Sequence, residues 1–307
     1  MALRRDTLPL VRESQARGRI REVFAGLRHA FGTRHLDEVF AAYAATPLFL
    51  EAVWDSLRDA VASAQVAALS ERLCALAYTA TFNYCPVADL GAGLGKMLRK
   101  DGESHELTQL IEWLQFHDAR LLLLTSAIIQ AMERPMQAKP PDGKADTEAS
   151  ATASQRPPES LVLIDEAEAS PALSHTLLDI RRAHGLPFLP SEYLALARWP
   201  DYLNPYWQAL SPVLSTPLYH ECEQELRMEA ATMARNVPAS LDLTVGTLLQ
   251  RGLTQEEIAG AGRVSEIFAQ VYSRLTLNTA LARISLEGGN RVAPQKPSTS
   301  DQERRVA

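Results

Sequence analysis

The sequence predicts an all-α protein made of two fused helical repeats that pack as a pseudo-dimer. Three observations support this prediction. Apolar residues recur at helical spacing, as in Ile20, Phe24 and Leu27, which would share one face of a helix. The two halves of the chain resemble each other at one constant offset. No segment shows the alternation of apolar and polar residues that is typical of a strand.

The repeat becomes visible when the sequence is shifted by 153 positions. The identical pairs are then Arg28 and Arg181, Gly32 and Gly185, Pro47 and Pro200, Trp54 and Trp207, Leu57 and Leu210, Leu73 and Leu226, and Ala127 and Ala280. A stretch rich in Pro, Ala, Ser and charge separates the halves and lacks any hydrophobic period, so it predicts a linker. We therefore expect an N-terminal repeat at 1–135, a flexible linker at 136–160, a C-terminal repeat at 161–287 and a disordered tail at 288–307.

Within each repeat, the helix boundaries can be predicted from local signals. Asp37-Glu38 and Ser191-Glu192 are placed to start a helix, since Asp or Ser can cap a backbone N–H and a carboxylate suits the positive helix end. Pro47 and Pro200 should stop those helices, because proline disfavours helix in the residue before it. The segment "TQLIEWLQFHDARLLLLTSAIIQAM" predicts one long, largely buried helix.

Composition limits the function classes. The chain has 307 residues, 46% of them hydrophobic, and a formal net charge of -6, which argues against nucleic-acid binding. Its longest apolar run, Leu121 to Met132, is interrupted by polar residues and predicts no membrane span. Three irregularly spaced cysteines fit reduced thiols. We expect a soluble, cytoplasmic protein without a metal or a cofactor.

Several short motifs do not indicate a site. "GAGLGK", at 91–96, is one residue short of a phosphate-binding loop and has no preceding strand. "HEC" at His220 lacks the second histidine of a zinc helix, and no G-x-S-x-G serine elbow is present.

The segment "ERLCALAYTATFNYCPVAD" resembles the alkylhydroperoxidase-D and carboxymuconolactone-decarboxylase pattern, in which Glu precedes C-x-Y/W-C-x3-H. Tyr84 and Cys85 match, but Phe82 replaces the first cysteine and Asp89 the histidine. Without a partner thiol, the disulfide cycle of such a peroxidase is incomplete. Cys85 is then interpreted as a small buried hydrophobic residue, with a thiol enzyme as the alternative.

The order of features along the chain resembles the group I 2-haloacid dehalogenases. The best stretches are "VFAAYAATPLFLEAVW", "LVLIDEAEAS", "SEYLALARWPDYL" and "LTLNTALARI". That family is all-α, with two fused repeats and an active site between them. The resemblance implies that a carboxylate-activated water displaces halide directly from carbon 2 of a small 2-halocarboxylic acid. It also implies that no enzyme ester forms.

The resemblance implies specific site residues. The family's serine and catalytic aspartate fall on Ser191 and Glu192, so a longer carboxylate replaces the base. The family's water-holding asparagine falls on Asp118 in "FHDARLLLL", with His117 beside it. If Asp118 and Glu192 approach each other, one should hold its proton more strongly, and Arg120 could offset their charge towards an anionic substrate.

The pocket walls depart further from the family. Its aromatic wall residues fall on His35 and Glu38, and a pocket tyrosine on the last long helix falls on Gln270. These polar walls leave alternatives: an enzyme acting on another small molecule, or an inactive helical scaffold. Glu192 could merely start a helix, and Asp118 could form a structural ion pair. We expect a small carboxylic acid as substrate and no nucleic-acid or membrane partner; a homodimer is compatible with the sequence.

Overall fold

The computed structural model describes residues 8–93, 102–137, 157–158 and 161–289. Within these ranges the chain forms eleven α-helices and no strand, apart from one isolated bridge between Met136 and Leu241. The predicted all-α class is confirmed. Nearly all of the predicted linker and tail, and residues 94–96 of "GAGLGK", lie outside the described residues.

The helices fall into two series. The first contains α1 (Gly18–Phe31), α2 (Glu38–Tyr43), α3 (Pro47–Leu57), α4 (Ala64–Tyr84) and α5 (Glu103–Glu133). The second contains α6 (Pro171–His184), α7 (Ser191–Leu196), α8 (Pro200–Leu210), α9 (Pro217–Ala234), α10 (Val245–Gln250) and α11 (Gln255–Leu286). The long buried helix predicted around "FHDARLLLL" is α5.

The two series share one register. Helices α6 to α9 begin 153 residues after α1 to α4, and α11 ends 153 residues after α5. Gly32 and Gly185 follow α1 and α6 as their C-caps, with φ of 70° and 62°, a left-handed conformation that suits glycine. Ser63 and Thr216 cap α4 and α9 through their hydroxyls. These coincidences support the predicted duplication.

The core is organised around the long helices. Helices α5 and α11, which are equivalent in the repeat, form the most extensive helix pair, and α4 and α9 pack against them. Met132, near the end of α5, lies against Gly262, near the start of α11, so these two helices run antiparallel. Among the described helices, none combines the length and hydropathy that crossing a bilayer requires.

The predicted role of the two prolines was wrong. Pro47 and Pro200 do not end α2 and α7, which stop at Tyr43 and Leu196; they are the first residues of α3 and α8. The physical reason is that the first turn of a helix has no partner for the backbone N–H that proline lacks. The residue before each proline is non-helical, with φ of -122° and -117°, as the steric rule requires.

The two repeated tryptophans pack in different ways. Trp207 is buried and its Nε1 donates to Asp179 at 2.7 Å. Trp54 is partly buried and its ring covers Gly26, where an added Cβ would lie 2.5 Å from the ring. Gly26 is the position equivalent to Asp179. Any side chain there would collide with the Trp54 ring.

We expect Gly26→Ala to lower the free energy of unfolding by about 1–3 kcal/mol, because the new methyl group overpacks against the Trp54 ring. The matched control is Gly246→Ala in α10, where no atom lies within 4 Å of the added Cβ. This control should raise stability by up to about 1 kcal/mol, since alanine favours helix. Urea unfolding of both variants measures the difference; equal effects would show that the ring moves aside.

Candidate active site

The first turns of α2 and α7 meet at the centre of the molecule. The Ser191 backbone N–H donates to Oε1 of Glu38 at 3.1 Å, and its hydroxyl donates to Oε2 at 3.4 Å. Glu38 and Ser191 are equivalent positions of the two repeats. Glu38 belongs to the first helical series and Ser191 to the second, so this contact joins the two series.

The predicted capping roles at these helix starts were wrong. Asp37 occupies the N-cap position of α2, but its side chain caps no backbone N–H. Ser191 is the first residue inside α7, behind Pro190. Both side chains are used in tertiary contacts instead: Asp37 binds His117, and Ser191 binds Glu38.

Asp118 and Glu192 lie together at this centre. Asp118 on α5 is 0% exposed and Glu192 on α7 is 4% exposed. Each carboxyl group lies close enough to the other to shift its pKa. Both oxygens of Asp118 and Oε2 of Glu192 are buried without a hydrogen-bond partner among the described residues. The buried neighbour of Asp118 is thus another acid.

The two acids shift each other's pKa. Burial raises the pKa of both groups, and the negative charge of Glu192 raises the pKa of Asp118 further, to well above its ordinary range. Because the two buried groups titrate together, the pair keeps a proton to a higher pH than an isolated carboxyl group would. One carboxylate and one protonated carboxyl group can therefore coexist at this centre.

Glu38 adds a third acid. Burial, followed by the charge of Glu192, raises the pKa of Glu38 to about 8. Near neutral pH Glu38 is therefore largely a neutral acid, so its charge does not add fully to that of Glu192.

A buried histidine and arginine border the acids. His117 Nε2 lies 2.6 Å from Oδ1 of Asp37, and its Nδ1 lies 3.2 Å from a guanidinium nitrogen of Arg120. The Asp37 carboxylate only accepts and the Arg120 guanidinium only donates, so the His117 ring lies between a buried anion and a buried cation. The His117 ring stacks on Trp113 at 4.6 Å. This packing fixes the ring beside Asp118, its neighbour in the chain.

The charges of this cluster are partly balanced. Burial alone would raise the pKa of Asp37, but the charge and hydrogen bond of His117 outweigh it, and the pKa ends below its ordinary value. Burial lowers the pKa of Arg120 to about 10, so Arg120 remains a cation. Its guanidinium lies 4.4 Å from the centre of the Phe31 ring, and its Nε has no acceptor among the described residues.

Tyr272 is a further buried polar residue near the acids that was not among the predicted site residues. It is 1% exposed on α11, and its hydroxyl has no hydrogen-bond partner in the described ranges. Burial, followed by the charges of Asp37, Glu38, Glu192 and Asp118, raises its pKa. The ring thus faces the acids.

The predicted wall residues are placed differently. Gln270 precedes Tyr272 by two residues, which is about 200° around a helix, so it points away from the acids. His35 is partly buried near Asp37 and His117, and burial lowers its pKa. Of the predicted wall residues, only Glu38 contacts the centre directly.

A buried hydrogen-bond network supports α7 behind Glu192. Asn278 Nδ2 donates to the Tyr193 hydroxyl at 2.9 Å, and that hydroxyl lies 3.1 Å from His184 Nε2. The Tyr219 hydroxyl donates to Oδ1 of Asn278 at 2.8 Å. Burial lowers the pKa of His184 to about 4, so neutral His184 accepts from Tyr193. The network anchors the residue next to the candidate base.

We expect Tyr193→Phe to lower the free energy of unfolding by about 1–3 kcal/mol, because it leaves a buried acceptor and a buried donor unpaired. Tyr272→Phe is the matched control: it removes a hydroxyl that has no partner, and should leave stability unchanged or slightly higher. Urea unfolding of the two variants tests this. A larger loss for Tyr272→Phe would mean that its hydroxyl is bonded in solution.

No group of three or more His, Cys, Asp or Glu side chains within the described residues is arranged to hold a metal ion. The arrangement brings together the carboxyl groups of Glu38, Asp118 and Glu192 and three buried donors that lack acceptors among the described residues, namely Arg120 Nε, the Tyr272 hydroxyl and Trp113 Nε1. This set can remove a proton from water and bind an anion beside it.

Comparison of the sequence with models of known protein families shows the family to which the chain belongs. The family model described as "Halocarboxylic acid dehydrogenase DehI" matches residues 36–193, just over half of the chain. The chain belongs to the DehI family. The match begins just before Asp37 and ends just after Glu192, so it includes the acids of the site.

Individual relatives of this DehI family member carry dehalogenase names. An (R)-2-haloacid dehalogenase of Pseudomonas putida is 32% identical over 117 residues, which cover 38% of this chain but only 39% of that enzyme. An (R)-2-haloacid dehalogenase of Rhizobium sp. (strain NHG3) is 22% identical over 248 residues, covering 80% of this chain and 95% of the relative. A configuration-inverting 2-haloacid dehalogenase of Alcaligenes xylosoxydans xylosoxydans is 26% identical over 194 residues, covering 61% and 64%.

Solved structures show the same fold. A D-2-haloacid dehalogenase mutant superposes with a TM-score of 0.78 at 20% identity, covering 93% of this chain and 98% of that chain. A complex of such a mutant with D-2-CPA gives a TM-score of 0.77, covering 91% and 96%. At this identity the likeness concerns the fold. It extends over both helical series of the DehI family member.

Proposed function

We propose that this DehI family member is a 2-haloacid dehalogenase-like hydrolase acting on a small 2-halocarboxylic acid. The observation that carries the proposal is the contact between Asp118 and Glu192 at the centre of the molecule, inside the region that the family model matches. Family membership and the names of the relatives support the reaction class.

Glu192 is the proposed base. Its carboxylate takes a proton from water while the water oxygen bonds to carbon 2 of the substrate. The carbon–halogen bond breaks on the opposite side, and halide leaves with the bonding electrons. The product is a 2-hydroxy acid of inverted configuration. A raised pKa suits this role, because a base near neutrality accepts a proton more readily.

Asp118 is the proposed donor that orients Glu192 and its water. The resembled family uses asparagine here, whose amide N–H donates. A carboxyl group that keeps its proton can also donate, so burial allows Asp118 to replace the amide. The substitution that would seem to add charge therefore preserves the hydrogen-bonding role.

The substrate carboxylate needs donors that the fold does not satisfy. Arg120 Nε and the Tyr272 hydroxyl are buried and lack acceptors within the described residues. We assign them to the substrate carboxylate. Ser191, His35 and Glu38 complete the proposed wall, whereas Gln270 on α11 faces away from the acids.

A second candidate is a hydrolase for a neutral small molecule, and the number of acids favours it. Glu38, Asp118 and Glu192 are close enough for each to influence the pKa of another. When Glu192 and Glu38 are both ionised, an anion would be repelled, whereas a neutral substrate would not. An inactive scaffold is the outcome if neither substrate class reacts.

Halide release from (R)- and (S)-2-chloropropionate tests the proposal, with 2-chloropropionamide as the matched neutral compound. Release from the acid alone supports the first candidate, and release from the amide alone supports the second. A single turnover in ¹⁸O-water with enzyme in excess should place the label in the product, since water attacks directly. Unlabelled product would indicate an enzyme ester, and no release from any compound would contradict both candidates.

We also propose the division into repeats at 1–135 and 161–287, a pseudo-dimer assembly, and a cytoplasmic location without nucleic-acid or membrane partners. The shared register of the two helical series supports the repeats, and three cysteines without a disulfide support a reducing compartment. Light scattering of the purified chain would test for a homodimer.

A further inference from the structure

A groove at the surface of the molecule lies between α5, α9 and α11. Its volume is about 470 Å³, which falls within the roughly 300–1,000 Å³ of a small-molecule site. Gln130 of α5, Arg227 of α9 and Glu266 of α11 line it together with apolar side chains. None of its lining residues takes part in the proposed dehalogenase chemistry, so the groove requires an explanation of its own.

Two alanines keep the groove open. Ala231 of α9 and Ala269 of α11 line it, and the positions equivalent to them in the first half of the chain, 153 residues earlier, carry Tyr78 and Phe116. Each alanine therefore stands where the other half of the chain has an aromatic ring. The missing rings leave space that a ligand can occupy.

The first half of the chain shows how this place is closed when the ring is present. The Arg283 guanidinium lies 5.2 Å from the centre of the Tyr78 ring, and the Tyr78 hydroxyl donates to Oε2 of Glu287 at 2.6 Å. The residues equivalent to Arg283 and Tyr78 are Gln130 and Ala231. In the groove, Gln130 Nε2 donates to the Ala231 carbonyl oxygen. This contact uses the backbone, and no described aromatic residue lines the groove.

The groove carries a cation and an anion that do not pair. Arg227 and Glu266 stand on different helices, and within the described residues neither side chain forms an ion pair or a hydrogen bond. They are therefore too far apart to bind each other. Gln130 adds an acceptor, since its Oε1 is buried and has no donor in the described ranges. One cation and two acceptors are thus available to a single ligand.

We propose that this groove binds a free α-amino acid with an apolar side chain. The Arg227 guanidinium binds the α-carboxylate through two parallel N–H donors, the geometry that arginine offers to carboxylates. Glu266 and Gln130 Oε1 accept hydrogen bonds from the α-ammonium group, which only donates. Ile129 and Met228, the latter 66% exposed, provide apolar surface for the side chain of the ligand.

The opposite charges of the groove determine its specificity. A simple carboxylic acid can satisfy Arg227 but places no donor against Glu266, and a simple amine has the reverse defect. Each of these compounds therefore loses one of the two charged contacts. The proposal does not rest on the dehalogenase function, because the halocarboxylic acid proposed as substrate carries no ammonium group.

Isothermal titration calorimetry of the full chain with L-leucine tests the proposal. The matched compounds are 4-methylpentanoate, which lacks the ammonium group, and 3-methylbutylamine, which lacks the carboxylate. Leucine should bind with one molecule per chain, and each matched compound should bind roughly 10- to 100-fold more weakly, the usual effect of losing one charged hydrogen bond. No binding of leucine, or equal binding of leucine and either matched compound, would overturn the proposal.

Variants locate the bound leucine. Arg227→Gln and Glu266→Gln should each weaken leucine binding by a similar factor. Ala231→Tyr should abolish it by restoring the ring of the first half, with a thermal unfolding curve confirming that this variant folds. Glu229→Gln, on the exposed side of α9, should bind leucine as the parent does, and so should Glu192→Gln. Unchanged binding in Arg227→Gln, or a loss of binding in Glu192→Gln, would place leucine elsewhere and contradict the assignment.

Discussion

Glu192→Gln is expected to reduce halide release by about 10²- to 10⁴-fold, the usual contribution of a general base. Glutamine keeps the shape of the side chain and can accept the hydrogen bond from Asp118, but it cannot take a proton from water. The fold should therefore persist, and substrate binding should change much less than turnover. Steady-state halide assays, together with a thermal unfolding curve, measure the two effects separately.

Three further variants define the roles within the pair. Asp118→Asn should retain activity because an amide N–H replaces the carboxyl O–H, whereas Asp118→Ala should lose it. Glu192→Asp should lower turnover, since a shift of about 1 Å at a catalytic group can cost on the order of a hundredfold. If Glu192→Gln keeps full turnover, or Asp118→Asn and Asp118→Ala behave alike, the assigned roles are wrong.

The acid cluster should also make stability depend on pH. The pKa of Glu38 is raised from 4.5 to about 8, first by burial and then by the charge of Glu192. Between these values the unfolded chain releases a proton that the folded chain keeps, so the free energy of unfolding falls as pH rises. The loss is on the order of 3–5 kcal/mol between pH 4.5 and 8.

Glu38→Gln tests the origin of this slope. Glutamine can still accept from the Ser191 N–H, but it does not titrate, so the decline with pH should become shallower. Glu229→Gln, on the exposed side of α9, is the matched control and should follow the parent. Urea unfolding at pH 5, 6.5 and 8 gives the slopes; identical slopes in the parent and Glu38→Gln would exclude Glu38 as its source.

Much of the fold could be predicted because the two halves of the sequence carry the same pattern of apolar residues. Helical spacing alone leaves boundaries uncertain, but the same apolar pattern at a fixed offset makes each half a check on the other. The errors were local. Proline was assigned to helix ends although it also suits a first turn, and Asp37 was assigned to a cap. Pro47 and Pro200 start helices for a steric reason, and Asp37 binds His117 instead of capping α2. The local sequence pattern contains neither effect.

The site was predicted in part. A charged residue within the apolar stretch of α5 indicated that Asp118 needs a partner, and that partner is Glu192. The Asp37–His117 contact and the direction of Tyr272 could not be predicted, since both depend on how α2 and α11 rotate against α5. Gln270 and Tyr272 are two residues apart on α11 and therefore lie on opposite sides of that helix.

The contact between Glu38 and Ser191 has an evolutionary consequence. In a homodimer of single repeats, a residue on the symmetry axis meets its own copy, so an acid there would face an identical acid. Once two repeats share one gene, each position can mutate alone. A glutamate can then face a hydroxyl and a backbone N–H, and the two sides of the centre can carry different chemical groups. Duplication with fusion thus permits a directional site at a place where symmetry would forbid one.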